Sequence, residues 1–253
     1  MSDNHYVSVI SVKNLTAGYA GETVIRDISF EIPGGKIFAI MGRSGCGKTT
    51  LFRAMVGLLK PASGEIYYGD DKMEPISEQP KIEILRKIGV LFQSGALFTS
   101  MTVAENVAMP LTQFTSLPQT VIEEIVAMKL ELVGLQDSAK KLPGELSGGM
   151  QKRAALARAM ALDPHILFFD EPSSGLDPLT SSELDETIRS INSFMGTTVV
   201  LITHELRSVY SVADSVILLD PSEKTIIARG RPQELEQDVS DKRVRDFFHG
   251  GLN

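Results

Sequence analysis

The sequence predicts an α/β fold: a mostly parallel sheet whose chain path is interrupted by a helical segment. Three observations point there. Apolar runs of strand length, such as Ile166-Leu-Phe-Phe169 and Val199-Val-Leu-Ile202, alternate with helical patterns, which implies a sheet covered on both faces. Residues from about 94 to 161 carry much helical pattern and little strand pattern, and read as an insertion into that core. The 253 residues, 43% hydrophobic and 23% charged, are enough for one large soluble domain, taken as residues 1–253.

The elements follow in order. Val7 to Val12 alternates weakly and predicts a strand. Ile28-Ser-Phe-Glu-Ile32 alternates properly and is turned by Pro33-Gly-Gly35. Ile37 to Met41 is continuously apolar, as in a strand buried on both faces. A helix is expected from about Lys48 to Leu59, ended by Lys60-Pro61. Glu65 to Tyr68 reads as a strand entering the turn Gly69-Asp-Asp71, and Ile88 to Phe92 as another buried strand. Within the helical stretch, Thr120-Val-Ile-Glu123 has the form of a capping box. Val121, Ile122, Ile125, Val126, Lys129, Leu130 and Val133 then fall at helical spacing, and Gly134 can close the helix. The alternation resumes with a strand at Ile166–Phe169, a helix over 179–195, and strands at Thr198–Thr203, Val216–Leu219 and Thr225–Ala228. No internal repeat or low-complexity segment is evident.

Composition removes several functions. A net charge of −7 argues against broad nucleic-acid binding, which depends on neutralising phosphates. One cysteine, Cys46, excludes an internal disulfide and a multi-cysteine metal site. No stretch approaches the ~20 apolar residues of a membrane span. Met1 to His5 lacks the basic and apolar regions of a secretory signal. A cytoplasmic chain is expected, touching membrane only through partners.

Gly42-Arg43-Ser44-Gly45-Cys46-Gly47-Lys48-Thr49 fits G-x-x-x-x-G-K-[ST], and Thr50 continues it. Glycines let the backbone curl so that successive N–H groups point at phosphate oxygens. The helix starting near Lys48 offers its positive dipole end to the same anion. Lys48 can reach the β- and γ-phosphates, and the Thr49 hydroxyl can ligate Mg²⁺. A bland glycine-rich turn is the competing reading, but the buried strand before and the helix after favour a nucleotide. Ile166-Leu-Phe-Phe-Asp170-Glu171 is an apolar strand ending in two carboxylates, where ligands bind in parallel sheets. Asp170 would hold Mg²⁺; Glu171 would orient and deprotonate the attacking water. Alone this pair could be a solvated acidic turn. Cys46 sits beside a helix N-terminus, which can lower a thiol pKa, although a small filler residue is the plainer reading.

With these motifs in place the chain resembles the ATP-binding-cassette ATPases over nearly its whole length. Leu146-Ser147-Gly148-Gly149-Met150-Gln151 looks like their signature motif. Ser147 can cap the following helix, and the two glycines expose N–H groups, a second anion site. The resemblance implies a P-loop NTPase core with a mostly parallel sheet, an antiparallel β subdomain and the helical insertion. It also implies ATP and Mg²⁺, and a homodimer in which each signature meets the γ-phosphate held by the other chain. Tyr19 matches the aromatic that stacks on adenine, and Gln93 the glutamine that senses Mg²⁺ and the attacking water. Ser174-Gly-Leu-Asp177 matches the loop crossing the dimer interface, and His204 the switch histidine at the γ-phosphate. His5, His165 and His249 match no motif.

Leu91-Phe-Gln-Ser-Gly-Ala-Leu-Phe98, Met150 and Arg243-Val-Arg-Asp-Phe-Phe248 resemble the ATPases of Mla-type phospholipid transporters. That branch implies transmembrane permease subunits, an MCE-domain lipid-binding protein and a small STAS-domain accessory protein, at the cytoplasmic face of an inner membrane. Ala96, Leu97 and Phe98 could line a groove for a permease helix or belong to the helical core. The alternatives are a transporter ATPase for another substrate, or a soluble cassette protein acting on ribosomes or DNA. The single cassette, the absence of sustained heptads and the acidic balance argue against the soluble form. Glu171 and His204 argue against a non-catalytic cassette.

Overall fold

In the computed structural model, which describes residues 8–76, 82–237 and 240–250, the chain builds two sheets. The first part supplies β1 (Ser8–Tyr19), β2 (Glu22–Pro33), β3 (Ile37–Gly42), α1 (Lys48–Met55), β4 (Ser63–Tyr68), β5 (Asp71–Lys72), α2 (Ile82–Arg86) and β6 (Ile88–Leu91). α3 (Val103–Phe114), α4 (Gln119–Leu132) and α5 (Gly148–Ala159) follow with no described strand between them. The remainder is β7 (Ile166–Asp170), α6 (Pro178–Met195), β8 (Thr198–Ile202), α7 (Leu206–Val212), β9 (Ser215–Asp220), β10 (Thr225–Gly230), α8 (Pro232–Gln237) and α9 (Lys242–Gly250).

The larger sheet has the order β10-β9-β3-β8-β7-β6, parallel except where β10 pairs antiparallel with β9. Every residue of β3, β7 and β8 is buried, which is why these strands read as continuous apolar runs. Alternate side chains divide between two cores, as the period of two requires. Ile37, Ala39, Met41, Leu167, Phe169, Val199 and Leu201 face the helices α3 to α6. Phe38, Ile40, Ile166, Phe168, Val200 and Ile202 face α1 and the second sheet. That sheet is antiparallel, in the order β2-β1-β4-β5.

Register brings the functional ends together. Ile40 pairs with Ile202, and Asp170 pairs with Ile202 on the other side. The C-terminal ends of β3, β7 and β8 therefore lie side by side, and the segments following them open onto one edge.

Several expectations need correction. The helix expected to run from Lys48 to Leu59 ends at Met55. Gly57 adopts φ 77°, donating to Ala54 O at 3.1 Å, while Leu58 N donates to Arg53 O at 2.8 Å. Those two bonds form a Schellman closure, so a left-handed glycine stops the helix before Lys60-Pro61 can. The capping box expected at Thr120–Glu123 does not form, because α4 begins one residue earlier, behind Pro118. The capping box belongs to α3: Thr102 Oγ1 accepts from Glu105 N at 3.2 Å, and Glu105 Oε2 accepts from Thr102 N at 2.7 Å. β1 extends to Tyr19 and β2 begins at Glu22, because pairing in a twisted, bulged hairpin does not need clean alternation. Val7, at the start of the first expected strand, lies outside the described residues, as does His5. α2, α7, α8 and α9 have no counterpart among the elements expected from sequence.

Candidate nucleotide site

The loop from Gly42 to Gly47 joins buried β3 to α1 and forms one wall of a cleft of about 1450 Å³. Gly47 precedes α1 with φ 100°, and no side chain caps the helix. A Cβ at Gly47 would stand 2.4 Å from Ile25 Cγ2, so only glycine fits both the dihedral and the space. The uncapped N–H groups are donors available to an anion. Arg43, Ser44, Gly45, Gly47, Lys48, Thr49 and Thr50 line the cleft, whereas buried Gly42 and Cys46 support it from behind. Lys48 Nζ donates to Gly42 O at 2.8 Å and to Arg43 O at 3.4 Å. It stands 3.9 Å from Glu171 Oε1.

Asp170, at the end of β7, is 7% exposed, and its Oδ1 has no hydrogen-bond partner. Burial pushes its carboxyl pKa up and Glu171 adds to the effect; Arg53, Lys48 and Lys152 oppose it. A buried carboxylate oxygen without a donor suits a hard cation. The hydroxyl of Thr49 and the amide of Gln93 line the cleft and offer further oxygens of the kind Mg²⁺ takes alongside phosphates, while Asp170 is buried outside the cleft lining. These residues fit the ion.

Glu171 follows with φ 48°, a strained conformation for a non-glycine residue, costing roughly 1–3 kcal/mol. Its N–H donates to Ile202 O at 2.8 Å, and its Oε1 lies 2.9 Å from His204 Nδ1. Thr203 Oγ1 donates to Oε2 at 3.4 Å. The carboxylate is thus aimed into the cleft beside Lys48 and His204. Gln93 donates from Nε2 to Ser174 Oγ at 3.3 Å.

The signature residues Leu146 to Met150 are not part of this cleft. Ser147 caps α5 by accepting from Met150 N at 3.3 Å. Ser147 and Gly148 are exposed; Gly149 is buried, and a Cβ there would sit 2.3 Å from Thr180 Cγ2. The exposed start of α5 therefore has no contact with the cleft of its own chain. Asp177 is engaged as the N-cap of α6, accepting from Leu179 N and Thr180 N, both at 3.1 Å. Its contacts with Thr180 and the backbone hold its pKa low. Tyr19 stands 42% exposed, its hydroxyl 3.4 Å from Arg53 Nη1, and it does not line the cleft, whose wall includes Val24. Cys46 is buried, and burial raises its thiol pKa more than Lys48 and the backbone lower it. The activated thiol that its position suggested does not arise.

Some residues that hold the site escaped the sequence reading. Ser173 bonds Glu205, tying the segment after Glu171 to the one after His204. Buried Lys152 of α5 donates to the carbonyl of Gln93. Asp185 lies buried beside Ser208 and Glu205 at the far end of the cleft. A lone Lys or Asp in a helix carries no local signal; only the packing of distant segments gives it a partner.

The chain belongs to the ABC transporter family, whose model matches residues 25–174. It is an ATP-binding and ATP-hydrolysing subunit of that class. Among curated relatives it is 42% identical to the intermembrane phospholipid transport system ATP-binding protein MlaF of Escherichia coli K12, over 96% of this chain and 89% of that protein. The solved structure of cbiO1 from Clostridium perfringens, part of the ABC transporter complex cbiONQ, superposes with a TM-score of 0.82 at 29% identity, covering 97% of both chains. A dimeric ATP-binding cassette in a post-hydrolysis state with ADP and Pi gives 0.78 at 29% identity, covering 88% of this chain and 98% of that one.

Proposed function

We propose that two copies of this chain power a membrane transporter that moves phospholipid between membranes. The observation that carries the cargo is the 42% identity with a phospholipid-transport ATPase along almost the whole chain. The chain would sit at the cytoplasmic face of an inner membrane with permease subunits, an MCE-domain protein and a STAS-domain protein. No described helix is long and apolar enough to cross a membrane.

In this reading Gly42 to Thr50 wraps the phosphates, Lys48 leaves its carbonyl partners for the β- and γ-phosphates, and Tyr19 stacks on adenine. Thr49, Gln93 and Asp170 would hold Mg²⁺, which would spread the charge of the transferring phosphoryl group. Glu171 accepts a proton from the attacking water, and His204, hydrogen-bonded to it, holds the carboxylate in line. The signature residues Leu146 to Met150 of the second chain supply N–H donors to the γ-phosphate, with Asp177 close to the seam. The exposed Ser147 end of α5, outside its own cleft, supports this two-chain site, as does the dimeric form of a related cassette.

The test is a pull-down with the tagged Glu171→Gln chain from detergent-solubilised membranes, read by protein and lipid mass spectrometry. A permease with an MCE-domain protein and phospholipid is the expected result. A permease with neither would remove the phospholipid assignment, and recovery only with ribosomes or DNA would remove transport.

A further inference from the structure

The loop after β6 is built against its own preference. Gly95 has φ 73° and Ala96 φ 49°, two successive left-handed residues, the second with a side chain. Such a turn persists only where its surroundings hold it. Gly95 N donates to Phe92 O at 2.8 Å, and a stripe of α5 at spacings of three adds three further contacts. Lys152 Nζ donates to Gln93 O. Ala155 lies where Gly95 approaches, 3.5 Å from the position of a Cβ there. Arg158 donates from Nη2 to Gly95 O at 2.9 Å and from Nη1 to Ala96 O at 2.7 Å.

Lys152 is the unusual member. It is 7% exposed, a costly place for an ammonium, and it donates to a neutral carbonyl, that of Gln93. Burial lowers its pKa, while the charges of Asp170 and Glu171 oppose that effect. The same helix begins at Ser147.

We propose that Lys152 is the positioning residue for Gln93, gripping its backbone so that the strained loop presents the amide to the nucleotide site. The inference rests on the metal- and water-directed role proposed for Gln93. It also makes α5 a strut, with its N-terminus at the partner chain's nucleotide and its Lys152 on the loop of its own site. Movement of α5 on dimer closure is then transmitted to the loop through the Lys152 and Arg158 hydrogen bonds, of which that of Lys152 falls on Gln93 itself.

The experiment compares Lys152→Met, Lys152→Gln, Gln93→Ala and the double variant Lys152→Met/Gln93→Ala in the full chain. It reads kcat, KM for ATP, the Mg²⁺ concentration at half-maximal rate, and ATP binding. Lys152→Met is expected to lower kcat about tenfold or more and to raise the Mg²⁺ requirement, with ATP affinity within about twofold. Lys152→Gln, whose amide can still donate to the carbonyl, should recover much of the rate. The double variant should be no worse than Gln93→Ala, the non-additivity of residues acting through one another. Multiplicative losses in the double variant, or near-normal turnover of Lys152→Met beside an impaired Gln93→Ala, would overturn the inference alone. A Gln93→Ala variant with normal turnover would remove the role of Gln93 and this inference with it. If Lys152→Met fails to fold, Lys152→Ala takes its place: a loss of kcat with a raised Mg²⁺ requirement that Gln93→Ala does not deepen supports the inference, and near-normal turnover overturns it.

Discussion

At the residue scale the site is a set of side chains held by neighbours distant in sequence. Glu171 carries the proposed base role, and its carboxylate is fixed between Lys48 and His204. Glu171→Gln keeps shape and removes proton acceptance, so turnover should fall by about 10²–10⁴-fold while ATP still binds. Single-turnover kinetics with labelled ATP checks this; wild-type rates would reassign the base. Asp185 gives a pH prediction. Burial, opposed by Ser208 and assisted by Glu205, raises its pKa from 3.8 to about 6. Between those values the unfolded chain has released a proton that the folded chain keeps. Stability should therefore decline as pH rises from about 4 to 6 and be level above, by at most about 3 kcal/mol from this group. Asp185→Asn should abolish that decline, so its melting temperature should equal the wild type's near pH 4 and exceed it at pH 8. A parallel pH profile for both proteins would remove Asp185 as the cause.

Elements show where local chemistry decides and where packing does. α3 is set by its own sequence, since Thr102 and Glu105 satisfy each other's backbone donors. Thr102→Ala should cost about 1 kcal/mol, a shift of roughly 2–4 °C in melting temperature for a chain of this size, visible by calorimetry. α6 is likewise begun by Asp177 and Pro178, and ended by Gly196 with φ 64°. α7 has no such signals: Glu205 precedes it without a side-chain cap, and Leu206, Val209 and Val212 are held by burial. This explains why α7 was not legible in advance. α9 joins the same core through Val244 and Phe248, with the Phe248 ring edge-on to Tyr210.

For the whole molecule, the question is how many chains make one site. The cleft holds the phosphate loop, Glu171, Gln93 and His204, while the Ser147 end of α5 points elsewhere. Mixing two inactive chains tests the proposed composite. Lys48→Ala spoils the phosphate loop and Ser147→Glu places a repelling charge at the signature; a mixed pair still contains one intact combination. Mixing should restore ATPase activity that neither variant shows alone. No recovery, with mixed dimers demonstrated by mass, would remove the two-chain site. Ser147 suits this test better than Gly149, where any side chain would strike Thr180.

The sequence by itself determined the buried strands, the phosphate loop and the acidic strand end, because each is local. A strand covered on both faces must be apolar throughout, as β3, β7 and β8 are. A loop that wraps phosphate needs glycine where backbone curls, as at Gly47. Caps were only partly legible: Gly134 closes its helix as expected, but Thr120 lost the cap to Pro118. The tertiary structure alone decided which strand ends became neighbours. It also decided that Asp170 lacks a donor, that Cys46 is buried and unactivated, and that Lys152 meets the carbonyl of Gln93. These are long-range properties. A charge or a polar atom acquires its chemistry from what surrounds it, and folding brings those surroundings from segments tens of residues away.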